Sequence, residues 1–218
     1  MKKIHQISLV IFGLLVPFLS NADDWPQYGN YGGQQYTPLT QISADNLDQL
    51  EEVWRFRTGD LGQGFTYKGH SMQANPILWN RTLYLSTSAN WVIAVDAQTG
   101  VELWRFDPGL PKDIRYSSSA SRGVSLWQGS TAVCPSRIFL GTLIGELIAL
   151  DALTGEPCSD FGLNGRVDLS KGAGSVELGE YSITSPPAIL GDLVIVGSAI
   201  GDNRATDLER GIGRAIDA

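Results

Sequence analysis

The stretch Trp91-Val92-Ile93-Ala94-Val95-Asp96-Ala97-Gln98-Thr99-Gly100 recurs as Glu146-Leu147-Ile148-Ala149-Leu150-Asp151-Ala152-Leu153-Thr154-Gly155, and a third copy begins at Gly213-Arg214-Ala215-Ile216-Asp217-Ala218. Measured from alanine to alanine, the copies lie 55 and 66 residues apart. Repeats of this order are typical of β-propellers, whose blades take about 40–50 residues. Insertions in loops account for the extra length. The repeat therefore predicts an all-β chain of successive antiparallel sheets.

Strand-like runs precede each copy of the repeat. They are 76–79 and 82–85 around Asn80-Arg81, 137–140 in the second unit, and 187–190 and 193–196 around Gly191-Asp192. Short apolar and β-branched runs divided by such turns predict antiparallel hairpins. The shared Asp-Ala-x-Thr-Gly has a local reason, because Asp bonds the backbone of the turn that it starts and Gly accepts positive φ.

A tryptophan follows the first copy, since Trp104 lies ten residues after Ala94. A large flat ring at this place could pack between neighbouring sheets. Stacked sheets bury their faces only against neighbours, so three units cannot close a ring, and an open end exposes a sheet face and strand edges. We therefore expect the reading frame to continue past Ala218.

The first residues read as a leader. Lys2 and Lys3 precede the apolar run 7–19, and Ser20-Asn21-Ala22 supplies small residues at the spacing of a cleavage site. This pattern predicts a signal peptide at residues 1–22, cleaved before Asp23. The run is about 13 residues long, against roughly 20 for a bilayer span, and an uncleaved anchor remains the alternative. The folded part is then expected at 23–218.

Composition limits the partners and the redox setting. With 43% hydrophobic and 18% charged residues, the chain has the composition of a globular protein. The formal net charge of −7 makes nucleic acid a poor partner, because such a surface repels phosphates. Cys134 and Cys158 lie 24 residues apart. Export places them where disulfides persist, which favours a structural bridge between them.

Several ordered motifs resemble one family. They are Asp24-Trp25-Pro26-Gln27-Tyr28-Gly29, Tyr36-Thr37-Pro38-Leu39, and the repeat from Ala94 to Trp104, which resembles that family's tryptophan-docking motif. The family is that of the pyrroloquinoline quinone (PQQ)-dependent, or quinoprotein, dehydrogenases. Arg122-Gly123-Val124-Ser125, Thr184-Ser185-Pro186-Pro187 and Gly197-Ser198-x-x-x-Asp202-Asn203 are similar to its membrane-type glucose dehydrogenase-like branch. The resemblance implies an eight-bladed β-propeller, with about the first three blades in this chain.

The resemblance also implies a set of site residues. PQQ is a flat ortho-quinone with three carboxylates, so its pocket needs cationic and hydroxyl donors, and a divalent cation polarises the reacting carbonyl. The cofactor-binding residues implied are Gln73, Arg122, Thr142 and Thr184, with Gln73 standing where alcohol-oxidising relatives have a glutamate. The metal ligands implied are Asp202 and Asn203, whose oxygen atoms suit Ca²⁺ or Mg²⁺.

Each of these residues also has a plainer reading. Arg122 could be a solvated surface arginine, Thr184 a turn hydroxyl before two prolines, and 201–203 a polar loop. One departure from the family is Ser117-Ser118-Ser119-Ala120-Ser121, where relatives cover the quinone with a vicinal disulfide or a histidine. In the family the catalytic aspartate and further metal ligands come later in the chain. The resemblance therefore assigns no catalytic residue here and implies that the 218 residues alone are inactive.

The function implied is oxidation of a CH–OH group of a sugar or alcohol, with a membrane quinone or a cytochrome as electron acceptor. The leader implies a periplasmic location, and any attachment to the inner membrane would come from the leader or from a partner. The alternative is a non-catalytic periplasmic propeller, a scaffold in envelope assembly. Such a scaffold would keep the docking repeat without the ordered set of Arg122, Thr184 and Asp202.

Overall fold

The computed structural model describes residues 24–60, 72–201 and 210–218, so the leader predicted at 1–22 lies outside the described residues. Two short 3-10 helices occur at Tyr31–Gly33 and Leu47–Gln49. The strands of the described residues are β1 Ile77–Trp79, β2 Thr82–Ser86, β3 Val92–Asp96, β4 Glu102–Phe106, β5 Ser125–Gln128, β6 Ser136–Gly141, β7 Glu146–Asp151, β8 Arg166–Asp168, β9 Ala188–Leu190, β10 Leu193–Val196 and β11 Arg214–Asp217. No helix in these ranges is long and apolar enough to cross a membrane.

The strands form three antiparallel meanders. The first sheet has the order β1-β2-β3-β4, the second β5-β6-β7-β8, and the third β9-β10-β11. The predicted hairpins are confirmed, since Leu78 pairs with Leu83, and Asn80 and Arg81 between them both have positive φ. Two positive φ values give the turn a twist that matches paired strands. The three copies of the repeat are the strands β3, β7 and β11.

The sheets are arranged side by side, with their first strands adjacent. β1 lies against β5, and β5 lies against β9, so the first strand of each sheet faces a common inner side. Tyr84 and Ala94 of the first sheet pack with Leu126 and Ile148 of the second. In the third sheet, Val194 and Val196 are buried towards the second. The described part of the chain is therefore a partial propeller, with its apolar core between the sheets.

Tryptophan docking joins the first sheet to the second. The Trp104 indole Nε1 donates to the Ala152 carbonyl at 3.1 Å. The ring lies so close to Gly155 that a Cβ there would approach it within 2.5 Å. The predicted packing of Trp104 between sheets is confirmed.

Trp54 repeats this geometry on the opposite face of the first sheet. Its Nε1 donates to the Ala97 carbonyl at 3.1 Å, and a Cβ on Gly100 would meet its ring at 2.6 Å. It packs there with Leu85, Ile93 and Val95. Trp54 therefore occupies on the first sheet the place that Trp104 occupies on the second. The sequence repeat does not reveal it, because no copy of the repeat precedes it.

Candidate functional site

The site is built on the loops that lead into the three innermost strands. Asn75 comes shortly before β1, Arg122 before β5 and Thr184 before β9. The Asn75 N–H donates to the Arg122 carbonyl at 3.3 Å, and the Arg122 N–H donates to the Thr184 carbonyl at 2.9 Å. The repeat thus places equivalent loops of three sheets side by side, joined by backbone hydrogen bonds.

A cavity of about 590 Å³ opens beside these loops. Its lining residues are Gln27, Tyr28, Gly32, Gly33, Gln73, Asn75, Arg122, Ser185, Pro186, Pro187, Ala188 and Ile189. Small-molecule sites usually have volumes of about 300–1,000 Å³ and combine apolar walls with a few polar groups. The structure therefore brings Gln73 and Arg122, two of the predicted cofactor-binding residues, to one cavity.

Arg122 is the charged residue among the described residues that line this cavity. Its Nη1 donates to Thr184 Oγ1 at 2.7 Å, and Thr184 is only 9% exposed. No Asp or Glu of the described chain forms an ion pair with Arg122, whose side chain is exposed. A guanidinium carries five N–H donors, so Arg122 has donors beyond the one bonded to Thr184 and no anionic partner among these residues.

Thr184 bonds Arg122 and is not among the residues that line the cavity. Its backbone carbonyl and its hydroxyl oxygen both accept hydrogen bonds from Arg122. A side chain held in this way loses less conformational freedom when a ligand binds. Thr184 therefore holds the Arg122 guanidinium in place, and its direct contact with a cofactor stays a prediction.

Thr142 lies in the turn between β6 and β7 and is fully buried. Its Oγ1 accepts from the Glu146 N–H at 2.9 Å, and its carbonyl accepts from the Ile183 N–H at 2.9 Å. Thr142 is not among the residues that line the cavity, and through Ile183 it supports the backbone next to Thr184. Its direct contact with a cofactor stays a prediction.

The serine-rich stretch before Arg122 is tied to the protein. The Ser117 N–H donates to the Gly179 carbonyl at 2.9 Å, and the Ser121 hydroxyl donates to Ser86 Oγ at 2.7 Å. None of these serines is among the residues that line the cavity. The stretch is therefore held by hydrogen bonds to a neighbouring loop and to β2.

The predicted metal ligands, Asp202 and Asn203, lie outside the described residues. Among the residues that are described, no group of three or more His, Cys, Asp or Glu side chains could hold a metal ion. The metal site stays a prediction.

The N-terminal segment contributes cavity residues that the sequence analysis did not single out. Gln27, Tyr28, Gly32 and Gly33 line the same cavity as Arg122. The motif at 24–29 marks the family resemblance, but nothing in the sequence places it beside Arg122, which lies more than ninety residues later. The local signal in this segment is its glycines, Gly29, Gly32 and Gly33, whose positive φ values mark a turn.

The donor set fits a flat anionic ligand. A held guanidinium, the amides of Gln73, Asn75 and Gln27, and the faces of two prolines line one space. Charge-assisted hydrogen bonds from a guanidinium to carboxylate or quinone oxygens are among the strongest that a protein makes. PQQ has these oxygens on a planar ring system, so the residues present suit it.

Comparison with known proteins gives the family. Residues 25–218 match the model of the PQQ family described as glucose/ethanol/alcohol dehydrogenase, beta-propeller domain. The chain is 36% identical over 215 residues to quinate/shikimate dehydrogenase (quinone) of Acinetobacter baylyi, covering 89% of this chain and 26% of that protein. It is 36% identical over 203 residues to quinoprotein glucose dehydrogenase of Escherichia coli, with the same two coverages. The chain thus spans about a quarter of the length of these relatives.

Solved structures agree with the family match. The quinohemoprotein alcohol dehydrogenase of Comamonas testosteroni superposes with a TM-score of 0.71 at 27% identity, covering 91% of this chain and 26% of that one. A europium-containing methanol dehydrogenase superposes with a TM-score of 0.64 at 26% identity, covering 90% of this chain and 30% of its own. The chain therefore belongs to the PQQ family of glucose/ethanol/alcohol dehydrogenase β-propeller domains.

Proposed function

We propose that the gene product is a PQQ-dependent oxidoreductase that oxidises a CH–OH group of a sugar or alcohol, and that this chain forms one wall of its quinone pocket. The observation that carries the proposal is the Arg122 guanidinium, fixed by Thr184 and open to the cavity that Gln73 also lines. An arginine held against a buried hydroxyl is unlike a solvated surface arginine, which no neighbour orients.

Each residue has a role in binding. Arg122 would donate to quinone or carboxylate oxygens, Gln73 would add an amide hydrogen bond, and Thr184 would hold Arg122 in place. When bound, PQQ supplies a two-electron acceptor for the hydride of the alcohol carbon. Asp202 and Asn203 are proposed as oxygen ligands of Ca²⁺ or Mg²⁺, which suit hard cations.

For the substrate and the electron acceptor, we propose a chemical class rather than a single compound. The relatives are named for quinate or shikimate, glucose and alcohol, and these compounds share a CH–OH group. A membrane quinone or a cytochrome would accept the electrons, in the periplasm to which the leader would direct the protein. Because these relatives are dehydrogenases, they do not favour the scaffold alternative.

The test is a PQQ titration of the full gene product prepared without cofactor, in Ca²⁺ or Mg²⁺, followed by quinone absorbance. We expect Arg122→Ala to raise the Kd at least about tenfold, because a charge-assisted hydrogen bond contributes roughly 1.5–3 kcal/mol. The matched control is Arg55→Ala, which removes an exposed arginine paired with Glu52. An unchanged Kd in Arg122→Ala would contradict the proposal.

The isolated 218-residue chain provides a second arm of the test. Because the family's catalytic aspartate is expected beyond this chain, we expect the isolated chain to show no dye-linked oxidation of glucose or alcohols when PQQ and Ca²⁺ are added. Turnover by the isolated chain would contradict the view that it carries no catalytic residue.

A further inference from the structure

The N-terminal segment is fixed across the innermost strands of two sheets. Trp25 and Leu78 of β1 exchange backbone hydrogen bonds of 2.7 and 2.9 Å. The next residue, Pro26, is buried, and its carbonyl accepts from the Leu126 N–H of β5 at 2.9 Å. The segment thus joins β1 to β5 along the inner side, where the cavity lies.

The chain then turns back on itself. The Asn30 N–H donates to the Gln27 carbonyl at 3.0 Å, and the Gln35 N–H donates to the Gly29 carbonyl at 2.8 Å. Gly29 is buried with a φ of +76°, and a Cβ there would lie 3.1 Å from the Gly33 Cα. The backbone on both sides of Tyr28 is therefore held in place by hydrogen bonds and close packing.

The Tyr28 side chain is largely outside the core. It is 53% exposed between the buried Pro26 and Gly29. Its phenol makes no hydrogen bond within the described part of the chain. A tyrosine normally gives its hydroxyl a partner when it is covered, so a half-exposed ring on a fixed backbone is suited to meet a ligand.

Tyr28 lies between two cavities. It lines the 590 Å³ cavity with Arg122, and it also lines a second cavity of about 550 Å³ with Trp25, Gln35 and Pro76. In the first cavity, the lining also contains the guanidinium of Arg122 and the side-chain amides of Gln27, Gln73 and Asn75. Tyr28 therefore lines both cavities, as Asn75 also does.

We propose that Tyr28 is a ligand-binding residue of the Arg122 cavity, whose ring forms an aromatic wall for the flat quinone and whose hydroxyl donates to one of its oxygens. The inference rests on the proposed function and adds a contact from the N-terminal segment. Aromatic rings stack on planar ligands, and a phenol O–H can donate a hydrogen bond to a carboxylate or carbonyl oxygen.

The experiment compares Tyr28→Ala and Tyr28→Phe in the full gene product prepared without cofactor. The readouts are the Kd of PQQ, from absorbance, and the melting temperature without ligand. We expect Tyr28→Ala to raise the Kd about tenfold and Tyr28→Phe about threefold, since the phenyl ring remains in the second variant. The melting temperature should stay unchanged, because the side chain is half exposed. The control is Tyr36→Ala, on the same segment but outside the cavity lining.

The outcomes separate this inference from the proposed function. If Arg122→Ala weakens binding and Tyr28→Ala binds PQQ like the wild type, the role of Tyr28 is wrong and the proposed function stands. If the wild-type protein does not bind PQQ, both are wrong. A Tyr28→Ala variant that melts earlier without ligand and binds PQQ normally when folded would show a structural role only and would overturn the inference.

Discussion

Gly123 shows how one backbone position supports the candidate site. It follows Arg122 directly and has a φ of +140°. A Cβ there would lie 3.2 Å from the Asn75 carbonyl oxygen and 3.2 Å from Pro186 Cγ. Glycine therefore lets three loops approach closely enough to form the backbone bonds between Asn75, Arg122 and Thr184.

We expect Gly123→Ala to lower the free energy of unfolding by about 1–2 kcal/mol, through the unfavourable φ and the two tight contacts. The loops must also shift apart, so the Kd of PQQ should rise severalfold. The matched control is Gly172→Ala, because Gly172 has a φ of +80° and nothing within 4 Å of its Cβ position. In urea unfolding, Gly172→Ala should lose only the free energy that the positive φ costs an alanine, and its Kd for PQQ should be unchanged. Equal effects of the two variants on the Kd would contradict the prediction.

The sequence predicted some of the residues that line the candidate cavity and not others. The resemblance named Gln73 and Arg122, and both line the cavity. It also named Thr184, whose contact with the cofactor stays a prediction; the bond that the Thr184 hydroxyl accepts from Arg122 spans 62 residues and could not be predicted from the sequence. Tyr28 belongs to a motif that marks the family resemblance, but only the fold places it in the same cavity lining as Arg122.

At the scale of elements, the apolar repeats predicted strands better than the polar segments did. β3, β7 and both hairpins were visible as runs of apolar residues between turn signals. β5 and β8 are Ser125–Gln128 and Arg166–Asp168, two short runs with polar ends. These segments are strands because they pair with β6 and β7, and no local sequence pattern predicts that pairing.

One carbonyl shows how neighbouring sheets are joined. Tyr84 of β2 donates its hydroxyl to the Ala152 carbonyl at 3.1 Å, beside the Trp104 indole that bonds the same oxygen. Tyr84 is 1% exposed, and burial raises its pKa to about 12. The two side chains thus bind the first sheet to the turn that follows β7.

We expect Tyr84→Phe to lower the free energy of unfolding by about 1 kcal/mol at pH 8, the usual net contribution of one hydrogen bond. The pKa of Tyr84 is raised in the folded state above its ordinary value of about 10. The stability that this hydroxyl contributes is therefore fully present below pH 10 and is lost as the pH rises towards 12. Urea unfolding at pH 8 and pH 11 measures this dependence.

For each protein, the quantity to compare is the decrease in the free energy of unfolding from pH 8 to pH 11. It should be smaller in Tyr84→Phe than in the wild type, because the phenylalanine does not titrate. Tyr36→Phe is the control, since Tyr36 is 66% exposed and its hydroxyl should leave both values unchanged. An identical pH dependence in Tyr84→Phe and the wild type would show that the prediction is wrong.

At the scale of the whole molecule, the repeat predicted successive sheets, and the structure confirms three of them side by side. The predicted Cys134–Cys158 bridge is also confirmed, with a Cα–Cα distance of 5.9 Å. It joins the connection between β5 and β6 to the connection between β7 and β8. Between these connections the buried Arg137 pairs with Asp160 at 2.5 Å and donates to the Cys134 carbonyl at 3.2 Å.

The bridge closes a loop across 24 residues of one sheet. In the chain-entropy view, a loop of this length stabilises the folded state by about 3 kcal/mol. We expect the double variant Cys134→Ala and Cys158→Ala to lose about this much free energy of unfolding in urea. Reduction of the wild type with dithiothreitol should cause a similar loss, while the same reagent should leave the double variant unchanged.

The effect of the bridge should also reach the third sheet, because Cys158 packs in the core between the second and third sheets. In the double variant we therefore expect faster amide exchange in β9 and β10. Faster exchange confined to the loops at Cys134 and Cys158 would show instead that the bridge acts only locally.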